Sequence, residues 1–285
     1  MGKIGFGCVA LSSILFEHQA LALVETAFDN GILHFDTAPL YGRGYSEKIL
    51  GKFLKGKRER VTITTKFGLG PNTISIIPAA IALPLNKIKK TIRKQSTPVS
   101  SFSEPDLLSY RRIIAKDIKI SLENSLKNLR TDYIDYFLLH EGMPYFLTDE
   151  SLNYLTDLLD RGVVNKIGFS ANYLNIINPI ADFDNDWKIL QYENSLLHSS
   201  LPIMHKYPEK LHIFHSVFSP LKYTNFETKT PTAILLAIAL KRNPDGIVLF
   251  SSTQRKHISE NILEVENYNN FSLLELEKIM KDAIC

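Results

Sequence analysis

Three short apolar runs of this chain each end in a side chain able to hold or move a proton. Asp36 closes Ile32-Leu-His-Phe-Asp, Lys66 closes Val61-Thr-Ile-Thr-Thr-Lys, and His140 closes Ile134-Asp-Tyr-Phe-Leu-Leu-His. Tyr41 follows Asp36 by five residues, within Pro39-Leu-Tyr-Gly-Arg-Gly. A lysine beside a tyrosine favours the phenolate and draws the tyrosine pKa down from ~10, while an aspartate holds the ammonium in place and keeps it charged. The tyrosine then becomes a proton donor or acceptor near neutral pH. A histidine alongside hydrogen-bonds and orients the same carbonyl or hydroxyl oxygen. Singly, each residue has an ordinary structural use: Asp36 as a turn cap, Tyr41 as an interfacial aromatic, Lys66 as a rim charge, His140 as a satisfied core histidine. As a set on successive strands they point to chemistry. They supply protons and polarise an oxygen but hold no electron source, so a redox reaction here requires a cofactor.

Such residues converge only if the fold brings the strand ends together. Eight apolar segments of strand length, residues 4–9, 32–36, 61–66, 134–140, 164–170, 188–192, 211–217 and 246–251, alternate with amphipathic helical patterns. Near-continuous apolar runs are what parallel strands buried on both faces require. Ile114, Ile118, Leu122, Leu126 and Leu129 form one helical stripe, and Leu152, Leu155, Leu158 and Leu159 another that Gly162 closes; both are read as core-facing. A helix begins near Lys256, and a last one follows Ser272, where Glu275 completes a capping box and Phe271 with Leu276 forms a staple. The pattern predicts an α/β fold, a single (β/α)8 TIM barrel over residues 1–285, with an added C-terminal helix. In such barrels the active site lies at the C-terminal ends of the strands.

One connection breaks the rhythm. Residues 67–111 form a loop after strand three far longer than the usual 2–6 residues of a βα turn. It opens Phe67-Gly-Leu-Gly-Pro-Asn, runs through an apolar stretch and a basic one (Lys87, Lys89, Lys90, Arg93, Lys94), and is a candidate substrate lid.

Composition bounds the remainder. With 285 residues, 45% hydrophobic and 22% charged, the chain has room for a sizeable core and is neither disordered nor fibrous. A net charge of +3, from 33 basic and 30 acidic residues, is too balanced to argue for nucleic acid or a membrane surface as partner. Two cysteines, Cys8 and Cys285, make no disulfide framework. The longest apolar stretch, residues 74–85, carries Pro78 and Pro84 and falls short of the ~20 residues needed to cross a bilayer. No leader is visible, and a cytoplasmic enzyme is the expectation.

His34-Phe-Asp36-Thr-Ala-Pro-Leu-Tyr41-Gly, Thr65-Lys66-Phe and Asp135-Tyr-Phe-Leu-Leu-His140 resemble the three signature stretches of the aldo-keto reductases. The resemblance implies that Asp36, Tyr41, Lys66 and His140 form a catalytic tetrad on a barrel that binds NADP(H), or NAD(H), without a Rossmann domain. A Gly-x-Gly-x-x-Gly at a strand-to-helix turn is accordingly missing. Gly168-Phe-Ser170-Ala-Asn172 and Gln191-Tyr-Glu-Asn-Ser are similar to the family's carboxamide contacts, which implies that role for Ser170, Asn172 and Gln191. Here Ala171 separates the serine from the asparagine. Phe218-Ser219-Pro220-Leu221 resembles the stretch that stacks a ring on the nicotinamide and offers backbone groups to the pyrophosphate; a tyrosine is commoner at the first position. The segment from Ser251 to Asn261 resembles the adenosine-phosphate loop, with Ser251 at its start, Ser252, Arg255 and Lys256 as contacts to a 2′-phosphate, and Glu260 and Asn261 at the adenine edge. Relatives often begin with a hairpin that plugs the barrel floor, whereas this chain enters strand one at once.

The implied activity is reversible hydride transfer between the dinucleotide and an aldehyde, ketone or sugar carbonyl or alcohol, with Tyr41 as proton donor in reduction. The implied partner is a small molecule. Two other readings keep the barrel: a Schiff-base aldolase with Lys66 as nucleophile, and a dinucleotide-binding sensor or accessory subunit with little turnover. No metal site is expected, because His34, Asp36, His140 and Glu141 lack the spacing of a metal cluster. Physiological substrate, favoured direction and oligomeric state are not encoded in any motif found.

Overall fold

The structure, a computed structural model, describes residues 3–69, 112–141, 146–171, 176, 186–196, 201–222 and 231–283. Eight parallel strands close into a barrel in sequence order: β1 (Lys3–Gly7), β2 (His34–Asp36), β3 (Thr62–Phe67), β4 (Ile134–His140), β5 (Val164–Ser170), β6 (Trp187–Glu193), β7 (Leu211–His215) and β8 (Ile247–Phe250). β1 pairs with β8 from Lys3–Ile247 to Phe6–Phe250, which closes the ring. The helices of the described residues are α1 (Glu17–Asp29), α2 (Tyr45–Phe53), α3 (Ala115–Leu129), α4 (Asp149–Asp160), α5 (Leu201–Lys206), α6 (Pro231–Arg242), α7 (Arg255–Glu266) and α8 (Leu273–Asp282). None is long and apolar enough to cross a membrane.

Strand alternation sorts side chains into two cores. Phe6, Phe35, Ile63, Phe137 and Phe169 point outward and pack under the helices. Leu138, Ile189, Ile213, Ile247 and Leu249 point inward and plug the barrel. Inward space is tight: a Cβ on Gly168 would lie 2.4 Å from the Ile189 carbonyl oxygen, so only glycine lets β5 and β6 approach. Above this plug the inward positions turn polar, and Asp36, Lys66, His140, Ser170 and Gln191 follow one another around the upper rim.

Several boundaries differ from the sequence expectation. β1 stops at Gly7 because Cys8–Ser13 coils into a 3-10 helix. β7 stops at His215 because Ser216 takes a left-handed conformation (φ 57°) that no strand accommodates. In α4 the buried row is Ser151, Leu155 and Leu158, spaced i, i+4, i+7, so Leu152 lies to one side and is 39% exposed, not core-facing. Ile114 is likewise 41% exposed, because it is the extended residue that caps α3. The Ser272–Glu275 capping box forms as expected. Phe271, though, meets the Tyr268 ring in a tilted contact at 5.8 Å and remains 38% exposed, while Leu276 is buried. The long loop lies outside the described residues from position 70 to 111.

Candidate active site

Asp36 and His140 end β2 and β4, Lys66 is the last residue but one of β3, which runs on to Phe67, and all three face inward, while Tyr41 descends from the loop between β2 and α2. That loop is a run of left-handed residues, Gly42 (φ 61°), Arg43 (φ 56°) and Gly44 (φ 82°), a turn that glycines make affordable and that swings Tyr41 back over the barrel. It is pinned from below. Thr37 Oγ1 donates to Ser46 Oγ at 2.9 Å, Ser46 Oγ donates to the Cys8 carbonyl at 3.0 Å, and the buried Glu47 accepts from Thr65 Oγ1 at 2.8 Å and Asn128 Nδ2 at 3.0 Å. The start of α2 is thereby fastened to the 3-10 helix after β1, to β3 and to α3.

Lys66 is the hub. Its Nζ lies 2.6 Å from Asp36 Oδ1, 2.9 Å from the Thr37 carbonyl oxygen and 3.4 Å from Tyr41 Oη, with the side chain 1% exposed. Gln191 Nε2 donates to the other Asp36 oxygen at 2.7 Å, so both carboxylate oxygens are engaged. The Tyr41 and His140 rings meet edge to face, 6.2 Å apart. All four residues of the predicted tetrad are thus brought together, around a cavity of about 370 Å³ that Asp36, Tyr41 and His140 line.

The electrostatics follow from burial and one buried charge pair. Burial by itself lowers the Lys66 pKa, but the Asp36 carboxylate and the hydrogen bonds to Asp36 and Tyr41 outweigh it, and the ammonium titrates above its ordinary range. Burial raises the Tyr41 pKa above 10.0, and the pull of Lys66 toward the phenolate does not overcome it. The expectation of a lowered Tyr41 pKa is therefore corrected: the hydroxyl is held protonated, as a donor. His140 is pushed down to about 3 by burial, then by Lys66 and His215, so its imidazole is neutral at pH 7.

The predicted cofactor residues divide into groups. Ser170 at the end of β5, Gln191 on β6, Phe218 and Ser219 after β7, and Ser251 after β8 line the same cavity as the tetrad. Pro220 and Leu221 continue the 3-10 turn Ser219–Lys222 behind it, and Phe218 packs on Phe250 at 6.1 Å. Ser252, Arg255, Lys256, Glu260 and Asn261 lie beyond the cavity lining, at and within the start of α7. There Ser252 Oγ accepts from the Gln254 N–H at 3.0 Å, Arg255 Nε donates to Thr26 Oγ1 at 2.8 Å, Lys256 pairs with Glu260 at 3.4 Å, and Asn261 is buried. Asn172 lies outside the described residues.

The cavity also has walls that sequence reasoning did not single out: Val9, Glu141, His215, Ser216 and Lys222. His215 carried the same signal as His140, a histidine in an apolar run, but the run was read through to residue 217, which hid its place at the strand end. No group of metal-ligating side chains occurs among the described residues.

The model of the family described as Aldo/keto reductase matches residues 3–230. The aldo-keto reductase YhdN of Bacillus subtilis (strain 168) is 30% identical over 188 residues, covering 63% of this chain and 47% of that protein. The chain spans about half the length of the curated relatives it matches. Among solved structures, the holo form of aldo-keto reductase AKR11C1 from Bacillus halodurans superposes with a TM-score of 0.73 at 20% identity, over 99% of this chain and 92% of that one. An aldo-keto reductase from Klebsiella pneumoniae in complex with NADPH gives 0.66 at 16% identity, over 98% and 90%. These structural likenesses establish the barrel fold.

Proposed function

Because the chain belongs to the Aldo/keto reductase family, we propose that it transfers a hydride between a nicotinamide dinucleotide and a small aldehyde, ketone or sugar carbonyl, with Tyr41 as the proton donor in reduction. The observation that carries this reading is the reach of Lys66 Nζ to both Asp36 Oδ1 and Tyr41 Oη at the wall of the cavity.

The residues present suit the cofactor. Gln191 spends its amide N–H on Asp36, which leaves its carbonyl oxygen for a carboxamide donor. The Phe218 ring offers a stacking face. Farther out, Arg255 and Lys256 stand in the first turn of α7, where free backbone N–H groups and the helix dipole favour an anion. Among the described residues Arg255 bonds through Nε, to Thr26, which leaves its terminal nitrogens for a 2′-phosphate beside Ser252. This supports NADP(H) as the preferred dinucleotide, with Glu260 and Asn261 near the adenine. When bound, the reduced dinucleotide supplies the hydride.

The chain's own residues then manage the oxygen. The neutral His140 imidazole orients the carbonyl oxygen toward Tyr41. Tyr41 gives that oxygen its proton as the carbon is reduced, and the charged Lys66 stabilises the phenolate left behind. Asp36 and Gln191 hold Lys66 in register. A raised Lys66 pKa suits this role and disfavours the aldolase reading, which needs a neutral amine as nucleophile.

Tyr41→Phe keeps the ring and removes the proton. Turnover of NADPH with a carbonyl substrate is expected to fall by about 10³-fold, in line with the loss of a general acid, with dinucleotide affinity unchanged. Full activity in this variant would overturn the assignment.

A further inference from the structure

The mechanism above leaves one imidazole of the site unused. His215 ends β7, and the register Gln191–Ile213, Glu193–His215 continues the inward row from the barrel plug up to the rim. Ile213 belongs to that plug, so His215, two residues on, faces the cavity above it, which Ser216, Tyr41 and His140 also line. Its electrostatic neighbours are the active-site groups Asp36 and Lys66, and it acts in turn on His140. Burial holds its pKa down to about 4, so it is neutral at pH 7 and can donate from one ring nitrogen and accept at the other.

The local backbone repeats that of His140. Two strands end in a histidine followed by a left-handed residue that carries a side chain, Glu141 (φ 52°) after His140 and Ser216 (φ 57°) after His215. A left-handed residue with a side chain is strained and persists only where its surroundings fix it. Here Glu141 N–H donates to the Ser170 carbonyl at 2.7 Å, and the Ser216 carbonyl accepts from Ser219 N–H at 2.9 Å. The left-handed turn at Ser216 also sets its hydroxyl 2.9 Å from His215 Nδ1. One ring nitrogen is thereby occupied, and Nε2, on the opposite edge of the ring, has no partner among the described residues. A partly buried imidazole at the cavity wall, fixed at one nitrogen and open at the other, is built to meet something in the cavity.

We propose that His215, positioned by Ser216, is a second substrate-contacting residue, which receives an oxygen function on a carbon near the reacting carbonyl while Tyr41 and His140 hold the carbonyl oxygen itself. The substrate class selected is hydroxy-aldehydes, hydroxy-ketones and dicarbonyls over simple alkanals of the same length. The inference rests on the reductase reading and adds to it a residue and a preference.

Glyceraldehyde and propanal share a three-carbon skeleton and differ in two hydroxyl groups, so their ratio of kcat/KM isolates the contact. In His215→Phe, kcat/KM for glyceraldehyde is expected to drop about 10-fold, the value of one hydrogen bond to a neutral group, mainly through KM. Propanal should change less than about 3-fold, and NADP+ affinity, read by protein fluorescence, should stay constant. His215→Gln, which keeps a polar atom, should recover part of the ratio. Equal losses on both aldehydes, an unchanged ratio, or weakened NADP+ binding would overturn the role of His215 while leaving the reductase reading intact. A wild-type protein that turns over neither aldehyde would overturn both.

Discussion

Two ion pairs, one partly buried and one fully buried, hold opposite ends of this barrel, and they differ in what each leaves over. At the lower end Arg58 Nη2 meets Asp135 Oδ2 at 2.7 Å. The guanidinium also donates to Thr131 Oγ1, the Val61 carbonyl and the Tyr133 carbonyl, and it lies 3.7 Å over the Tyr133 ring. Asp135 in turn accepts from the Ile63 N–H at 2.9 Å and from Asn165 Nδ2 at 3.4 Å. That pair closes on itself and ties the entrance of β3 to that of β4. At the upper end Lys66 and Asp36 are more deeply buried, and the lysine turns one donor toward Tyr41, whose ring borders an open cavity. A pair saturated by backbone is architecture; a pair that passes its charge to a group facing a cavity can do chemistry.

Three perturbations sharpen the contrast. The largest effect is expected at the top. Lys66→Met should abolish turnover, by about 10³-fold or more, and should destabilise the fold by about 3–5 kcal/mol because Asp36 is left buried and unpaired. The double change Lys66→Met with Asp36→Leu should regain much of that stability in urea unfolding, since apolar replacements of a buried pair are often neutral, and regain no turnover. Recovery of turnover would show that the pair is structural after all.

Arg58→Met attacks the lower pair. The cost in urea unfolding should be about 2–3 kcal/mol, below the value for a fully buried pair because both partners remain partly exposed. The kcat of the folded protein should be unchanged. A fall in kcat comparable to that of Lys66→Met would erase the distinction between the two ends.

The smallest effect separates two histidines. His34, inside the barrel against Thr64 and Tyr136, has its pKa lowered to about 4 by burial, and His140 to about 3. Both titrate near 6.5 in the unfolded chain, so below that pH the unfolded state takes up protons that the folded state refuses. Stability is therefore complete above pH 6.5 and lost progressively toward about pH 4 for His34 and about pH 3 for His140, each group contributing up to about 1.4 kcal/mol per pH unit. His34→Gln should flatten the stability–pH profile without changing kcat, whereas His140→Gln should flatten it and reduce turnover. A profile that is flat in the wild type would contradict the buried neutral state of both.

Much of this was legible in the chain. β4 (Ile134–His140) and β5 (Val164–Ser170) match the bounds expected from the sequence, because each carries a buried apolar stretch toward its upper end, although Asn165 and Lys166 on β5 are exposed. Polar and charged groups at the ends of apolar runs stand out in a sequence, which makes Asp36, Lys66 and His140 legible without the fold. What escaped depends on tertiary context. The direction of the Tyr41 shift is set by how much water the folded site excludes, and no spacing encodes that. The end of β7 is set by a left-handed serine, a residue type that gives no warning of φ > 0, and His215 was overlooked with it. The stripe that included Leu152 failed because the side of α4 that faces the barrel is chosen by the anchoring of Ser151 to the Ile113 carbonyl at 2.7 Å, a contact distant in sequence.

Titration calorimetry with NADP+ and, in parallel, NAD+ tests hydride transfer at this barrel mouth most directly, because it needs no choice of substrate. Binding at one site per chain, tighter for NADP+ than for NAD+ and weakened toward the NAD+ value by replacing Arg255 and Lys256 with alanine, is the expected result. No binding of either dinucleotide to the folded protein would contradict the oxidoreductase assignment.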